Sequence, residues 1–414
     1  MRFKTSIFLA VLFIFFNTTA RAEEPTGTIT LNQAQALALM HNPELRAYSW
    51  EVRVQEEATL QAGLLHNPTI GADLQDIGVA TQSTLSLSQT IELGGKRTKR
   101  REAAALSHDL AGLDYEAKRI EIFTQVSHAF IALLKAQEQR VLMEETLKIA
   151  EETARVVAER VKAGKVSPIE EIRANIVLAV AGIERDRTKK EIEAARKRLS
   201  ATWGTTLPQF NRVEGTLGTV SPIPSFSKLT EHLSKNPELI RWMTELEQRR
   251  AFINVAQSQA VPDLTLIGGF RNYKSTGDNV FIIGLSLPLP IFNKNQGGIQ
   301  QAENRLSKGE EEEKAAQVRV SAALSDAYRD LLTAHIEVTD LTEKVLPGAT
   351  EAFEAMNEGY RLGKFGLLDV LDAQRTLFSS REQNLRALAD YHHAVAKIAG
   401  LIGSINIKES SDEK

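Results

Sequence analysis

"GYRLGKFGLLDVLDAQRTL" spans residues 359–377, and a string cut to the same plan, "RVKAGKVSPIEEIRANIVL", spans 160–178. Each runs from one helical pattern through Gly-Lys into a second, with an acid six positions after the glycine: Glu170 after Gly164, Asp369 after Gly363. The two glycines stand 199 positions apart. Outward from these strings the likeness continues. "NPEL" at 42–45 returns at 236–239, Pro68 of "NPTI" matches Pro262 of "VPDL", and "LSLSQTI" at 85–91 matches "LSLPLPI" at 285–291. Landmarks in the same order at nearly constant spacing mark an internal duplication.

Both halves read alike. A helical segment opens each, Leu31 to about Ala62 and Leu229 to Ala260, with "NPEL" as an early break and restart. Two extended segments follow. In the first half these are Pro68 to Ile77 and Gln82 to Leu93, where Leu85, Leu87, Ile91 and Leu93 alternate with Ser86, Ser88, Thr90 and Glu92. In the second, Leu264, Leu266 and Phe270 alternate with Thr265 and Arg271, and Phe281 to Ile291 is apolar at every odd position. A period of two gives a strand one apolar and one polar face. Next comes a long helix. From Lys96 to Lys162 there is no proline and one internal glycine, Gly112, so the pattern predicts a single helix about 100 Å long. Its counterpart, Gly298 to Arg361, is interrupted at Pro347-Gly348. Each meets a Gly-Lys turn and returns, over Pro168 to Trp203 and over Leu367 to about Gly400.

Composition excludes several classes of function. A net charge of -3 gives no electrostatic case for nucleic acid. With no cysteine, the chain has no disulfide, no thiolate metal site, no cysteine nucleophile and no N-terminal cysteine for lipid attachment. No nucleophile elbow or zincin motif is present, so catalysis is not expected. Arg2 and Lys4 precede the apolar run Ile7 to Phe16, and Ala20-Arg21-Ala22 supplies a small-x-small site, which reads as a cleaved export signal over residues 1–22. After it no apolar run reaches 18 residues, so any membrane segment must consist of strands. Four strands cannot close a barrel alone, since the smallest membrane barrels need about eight. Chains would have to pool their strands.

The signal sequence, the duplicated halves, "LSQTIELGGKR" and "LSLPLPIFNKNQGGI" at the ends of the strand pairs, and the paired Gly-Lys tips resemble a TolC-type outer membrane factor. The strings "LGGKR" and "PIFNKNQG" resemble its heavy-metal, CzcC-like branch. The resemblance implies an α+β fold with two repeats, 23–203 and 228–403; the Pro-, Gly-, Thr- and Ser-rich linker at 204–227 between them reads as a loop, and 404–414 has the composition of a disordered tail. The resemblance implies a homotrimer whose subunits each give four strands to a twelve-stranded barrel in outer membrane lipid, above a periplasmic barrel of helices. It also implies docking to a periplasmic adaptor and an inner membrane RND pump, with no cofactor, no resident metal and no nucleic acid. The favoured function is an exit duct for divalent heavy-metal cations. A duct for organic drugs or secreted protein is the runner-up, and a secreted coiled-coil scaffold without a pore is a third reading, disfavoured by the alternating strands.

By the same resemblance Asp369 and Asp372 fall at the pore aperture, Glu170 and Tyr360 fall at gate-holding contacts, and Gly164, Lys165, Gly363 and Lys364 form the tips that touch the adaptor. The pattern departs from the family at Phe365, where a basic partner is expected. Competing local roles exist for several of these residues. Asp369 lies in a first helical turn, where the macrodipole favours a carboxylate. Ser167-Pro168-Ile169-Glu170 has the form of a capping box. The glycines suit left-handed helix ends, and both lysines suit the negative pole of a helix C-terminus. His392-His393 is the one paired imidazole in the sequence, and neighbours on a helix point about 100° apart, so the two do not share a metal.

Overall fold

The computed structural model describes residues 26–78 and 81–403. The expected signal peptide and the 404–414 tail lie outside them. In chain order the elements are β1 (Gly27–Ile29), α1 (Leu31–His41), α2 (Pro43–Ala62), β2 (Thr69–Gln75), β3 (Gln82–Ile91), α3 (Lys96–Lys162), α4 (Pro168–Ala201) and β4 (Phe210–Val213). There follow α5 (Phe226–Glu231), α6 (Pro237–Gln259), β5 (Leu264–Tyr273), β6 (Asn279–Ser286), α7 (Gln296–Asp340), α8 (Leu346–Arg361) and α9 (Leu367–Leu401). None of the described helices is long and apolar enough to cross a membrane.

The α3 helix is the spine. Its 67 residues are those the missing prolines define, and α1, α2, α4, α6, α9 and β4 pack along it. Four of the strands form one antiparallel sheet in the order β2-β3-β5-β6. Register places Ile70, Leu87, Gly268 and Ile283 in one row across it, and Ala72, Leu85, Phe270 and Phe281 in the next. These rows form a continuous apolar face that no element covers: Ile70 is 74%, Phe281 79% and Ile283 92% exposed. Strand β6 stops at Ser286, short of the alternation that continues to Ile291, because Pro288 and Pro290 have no N–H for a ladder. In the first half, Asp76 takes a positive φ of 50° and ends β2.

The duplication is visible as a repeated clasp. Asn42 accepts the Leu45 amide with Oδ1 at 2.9 Å, capping α2, and donates Nδ2 to the Thr202 carbonyl at 2.7 Å. Asn236 does the same for α6 and the end of α9, accepting from Leu239 at 3.1 Å and donating to Leu401 at 2.8 Å. Both side chains are buried. "NPEL" is therefore more than a helix restart: one amide starts the second helix of a repeat and ties it to the repeat's last turn.

Two expectations need correction. The 204–227 linker is not all loop. Strand β4 lies in it and pairs in parallel with β1, and Trp203, Phe210, Val213 and Leu217 enter one core with Ile29, Leu45, Ile122 and Leu133. Likewise Pro347-Gly348 does not break the second long helix. A single π-helical turn, Leu341–Val345, joins α7 to α8 just ahead of the proline. The Pro347 ring would clash with the carbonyl four residues earlier, and a wider turn there removes the clash while the helix continues.

Replacing Asn42 or Asn236 with Ala leaves a helix amide and a part-buried carbonyl unpaired, at a cost of about 2 kcal/mol. Each variant should unfold at a lower temperature than the parent, followed by circular dichroism. Asn42→Asp, which keeps the cap acceptor and loses the donor, should fall between.

Candidate functional site: the hairpin tips and the α4–α9 groove

The two tips are built identically. Gly164 and Gly363 adopt φ of +67° and +78°. Lys165 donates its amide to the Arg160 carbonyl at 2.9 Å and Gly164 to Val161 at 2.9 Å, while Lys364 donates to Gly359 at 2.7 Å and Gly363 to Tyr360 at 2.9 Å. This is the Schellman pattern, which satisfies the last carbonyls of a helix through a left-handed residue. An L-residue with a side chain strains that φ, so the glycines are required by the turn. Lys165 and Lys364 are exposed, with no ion-pair partner among the described residues.

Between the tips the structure brings Glu170 and Tyr360 together. The Tyr360 hydroxyl donates to Glu170 Oε2 at 3.1 Å, linking α8 to α4 across 190 positions of sequence. The capping-box expectation for Glu170 gives way here. Ser167 caps α4 by accepting the Ile169 amide at 3.4 Å, and the Glu170 carboxylate is spent on Tyr360. Tyr360 is 3% exposed. Burial, with the bond to Glu170 adding to it, pushes its phenol up to about 12, so it remains an O–H donor.

Sequence reasoning missed Arg160. From the last turn of α3 its guanidinium donates to the Tyr360 carbonyl and lies 4.3 Å from the centre of the Tyr360 ring. One residue on, Arg361 reaches Glu152 of α3 at 3.3 Å. Phe365 folds back onto Gly359, where any Cβ would stand 2.2 Å from its ring.

Asp369 and Asp372 share one wall of a groove of about 800 Å³ between α4 and α9, floored by Met143 and Thr146 of α3. Each has a local partner. Asp369 Oδ2 accepts the Gly366 amide at 2.9 Å, a helix cap, and Asp372 pairs with Arg375 at 2.6 Å. Both remain exposed, and Glu184 and Glu382 line the same groove, so carboxylates outnumber its one cation, Arg375. Helix α4 also carries a stripe of Ile169, Ile172, Ile176, Val180 and Ile183, all about half exposed or more, of which Ile176 and Val180 line the groove. Among the described residues no group of three or more His, Cys, Asp or Glu is arranged to hold a metal ion.

With this geometry, comparison with known proteins is decisive. The sequence matches the profile of the outer membrane efflux protein family over residues 35–205 and again over 229–404, one match per repeat. The chain belongs to the outer membrane efflux protein family. It is 34% identical over 381 residues to the cobalt-zinc-cadmium resistance protein CzcC of Cupriavidus metallidurans, covering 92% of this chain and 91% of that one. It is 24% identical to the nickel-cobalt-cadmium resistance protein NccC of Alcaligenes xylosoxydans xylosoxydans, covering 82% and 77%. The crystal structure of CusC superposes with a TM-score of 0.77 at 16% identity, covering 92% of this chain and 94% of that one, which shows the shared TolC-like channel fold. Family members are transport ducts, not enzymes.

Removing the Arg160 guanidinium should loosen both tips. A hydrogen bond with a net worth of about 1 kcal/mol corresponds to about a fivefold change in an opening equilibrium. Arg160→Ala should therefore speed amide exchange at Lys364 and Gly363 about fivefold, read by hydrogen–deuterium exchange, while Lys165→Ala leaves it unchanged.

Proposed function

We propose that three copies of this chain assemble into a duct that carries divalent heavy-metal cations out across the outer membrane. Similarity to CzcC at 34% identity over nearly the whole of both chains carries the choice of cargo. The open sheet supports the assembly. Strands β2 and β6 are unpaired edges, and the apolar rows of Ile70 and Phe270 face outward. In hydrocarbon such edges must pair and such a face is satisfied. Three sheets joined edge to edge give a twelve-stranded barrel, above the minimum of about eight. The exposed Ile stripe of α4 gives the helices below it a face for neighbouring subunits. The helical part then lies in the periplasm of a Gram-negative bacterium, reached after cleavage of the 1–22 signal and without a lipid anchor.

In this reading the tips, Gly164-Lys165 and Gly363-Lys364, meet a periplasmic adaptor that connects the duct to an inner membrane RND pump. Their exposed lysines supply charge with no internal partner. The contacts of Tyr360 with Glu170 and Arg160 hold the two hairpins together where the duct narrows. Asp369 and Asp372 line the aperture, where carboxylates from three chains attract cations and repel anions. Arg375 tempers this field and does not cancel it, because Glu184 and Glu382 lie in the same groove. The metal is cargo, held by no permanent site.

Two measurements test the proposal. Deletion of the gene should raise cellular cobalt, zinc or cadmium after metal challenge while dye export stays normal; retained dye with unchanged metals would assign the duct to organic cargo. Asp369→Asn with Asp372→Asn should reduce the cation preference of single channels in lipid bilayers, and unchanged selectivity would take both residues out of the aperture.

A further inference from the structure

The histidine pair that the sequence presents, His392-His393, does divide its work, and one half of it meets a third histidine. His392 Nε2 bonds to the Leu217 carbonyl of the linker at 2.9 Å. His393, next along α9, points instead to α3, where its Nδ1 lies 2.6 Å from Nδ1 of His128. The ring centres are 4.7 Å apart and the planes 17° from parallel. Rings stacked face to face at that centre distance could not bring two nitrogens so close. The arrangement is edge to edge in nearly one plane, each Nδ1 aimed at the other. That contact requires one proton between the nitrogens: one imidazole donates, the other accepts.

We infer that His128 and His393 form a proton-counting clasp between the two hairpins, closed while the pair holds one shared proton and opened when each ring carries its own Nδ1 proton. A first extra proton enters at the free Nε2 of the donor ring and leaves Nδ1–H···Nδ1 intact, now charge-assisted. A second protonates the accepting Nδ1. Two N–H groups then face each other on two cations, and the contact becomes repulsive. The pair titrates as a unit with two macroscopic steps.

The surroundings make the second step costly. Burial lowers the affinity of His128 for a proton, and Lys397 lowers it further. Burial, followed by His128, Lys135 and His392, brings His393 down to about 4. The groups presented to the pair are Lys135 on α3, His392 and Lys397 on α9, the Leu217 carbonyl of the linker, and, through Lys397, Asp330 of α7 at 3.7 Å. From α1, Gln35 reaches Ser127 beside the pair at 3.5 Å. His335 of α7 lies one ring further out, 6.1 Å from Tyr391. Among the described residues no carboxylate contacts either imidazole to stabilise a double charge. A cavity of about 40 Å³ lies nearby, lined by Gln35 of α1, Thr124 and Ser127 of α3, and Ala396 and Gly400 of α9.

Because the folded values lie below the ordinary 6.5, the clasp contributes stability that is fully present above pH 6.5 and is lost as pH falls from 6.5 toward about 4. The chain contains no cysteine, so Gln125→Cys on α3 and Asp390→Cys on α9 can carry the only two spin labels in full-length protein. Diluted with unlabelled protein so that each assembly holds one labelled copy, the two labels should show a narrow separation by pulsed dipolar spectroscopy above pH 6.5, lengthening and broadening reversibly as pH approaches about 4. His393→Gln, and separately His128→Gln, should each abolish that response, because an amide partner does not titrate. A separation that does not move with pH in the parent would overturn the clasp, as would the same broadening in a folded His→Gln variant.

Discussion

A helix of 67 residues has to be covered along its whole length, and the fold is the answer to that demand. Helix α3 has too little apolar character on any one face to stand alone in water, and most helical stability comes from packing rather than propensity. Its partners therefore change along its length. Helices α2 and α6 pack against it nearer the sheet; at its middle come α1, β4 and α9 around Ile122, Val126, Phe130 and Leu133. At its far end, Ala154 and Val157 join Ala174, Phe353, Leu367 and Val370. The other repeat meets the same demand with α7, a π-helical turn and α8.

Duplication solves the problem twice, and divergence then connects the solutions. The Asn42 and Asn236 clasps and the two Schellman turns are copies. The contacts that join one hairpin to the other are not. Arg160 comes from α3, Glu170 from α4 and Tyr360 from α8, and the position equivalent to Tyr360 in the first repeat is Val161. A symmetric pair of hairpins would have no reason to stay in one register. One tyrosine that accepts through its carbonyl and donates through its hydroxyl fixes the tips against each other at two points.

At the opposite end the sheet leaves an apolar face uncovered. Its core-facing possibilities are slight: the apolar rows face outward, and neither edge strand has a second strand neighbour among the described residues. In a protein that ended at its own surface this would be an aggregation hazard. As a segment of the proposed larger closed sheet it would be complete; Lys96 with Asp263 and Arg100 with Glu92 tie the strands to the start of α3.

Much of this was written in local pattern. The bounds of α3, the two returning helices, the alternation in β3 and β5, and the glycines of both tips follow from helix breakers, period and turn chemistry, which act over a few residues. Glu170 and Tyr360 were singled out by likeness to a family, and their bond to each other depends on packing of four helices. The sequence could not disclose the rest for a common reason. Strands β1 and β4 have three and four residues, too few to show a period, and exist because they pair across the linker. Arg160 meets Tyr360 at 200 positions' distance, and His128 meets His393 at 265. The local partners of Asp369 and Asp372, the Gly366 amide and Arg375, lie within reach of pattern, whereas the groove they share with Glu184 does not. Local sequence determined which helices and turns exist; only tertiary packing decided which of their polar side chains face one another, because that choice depends on how whole helices are rotated and aligned.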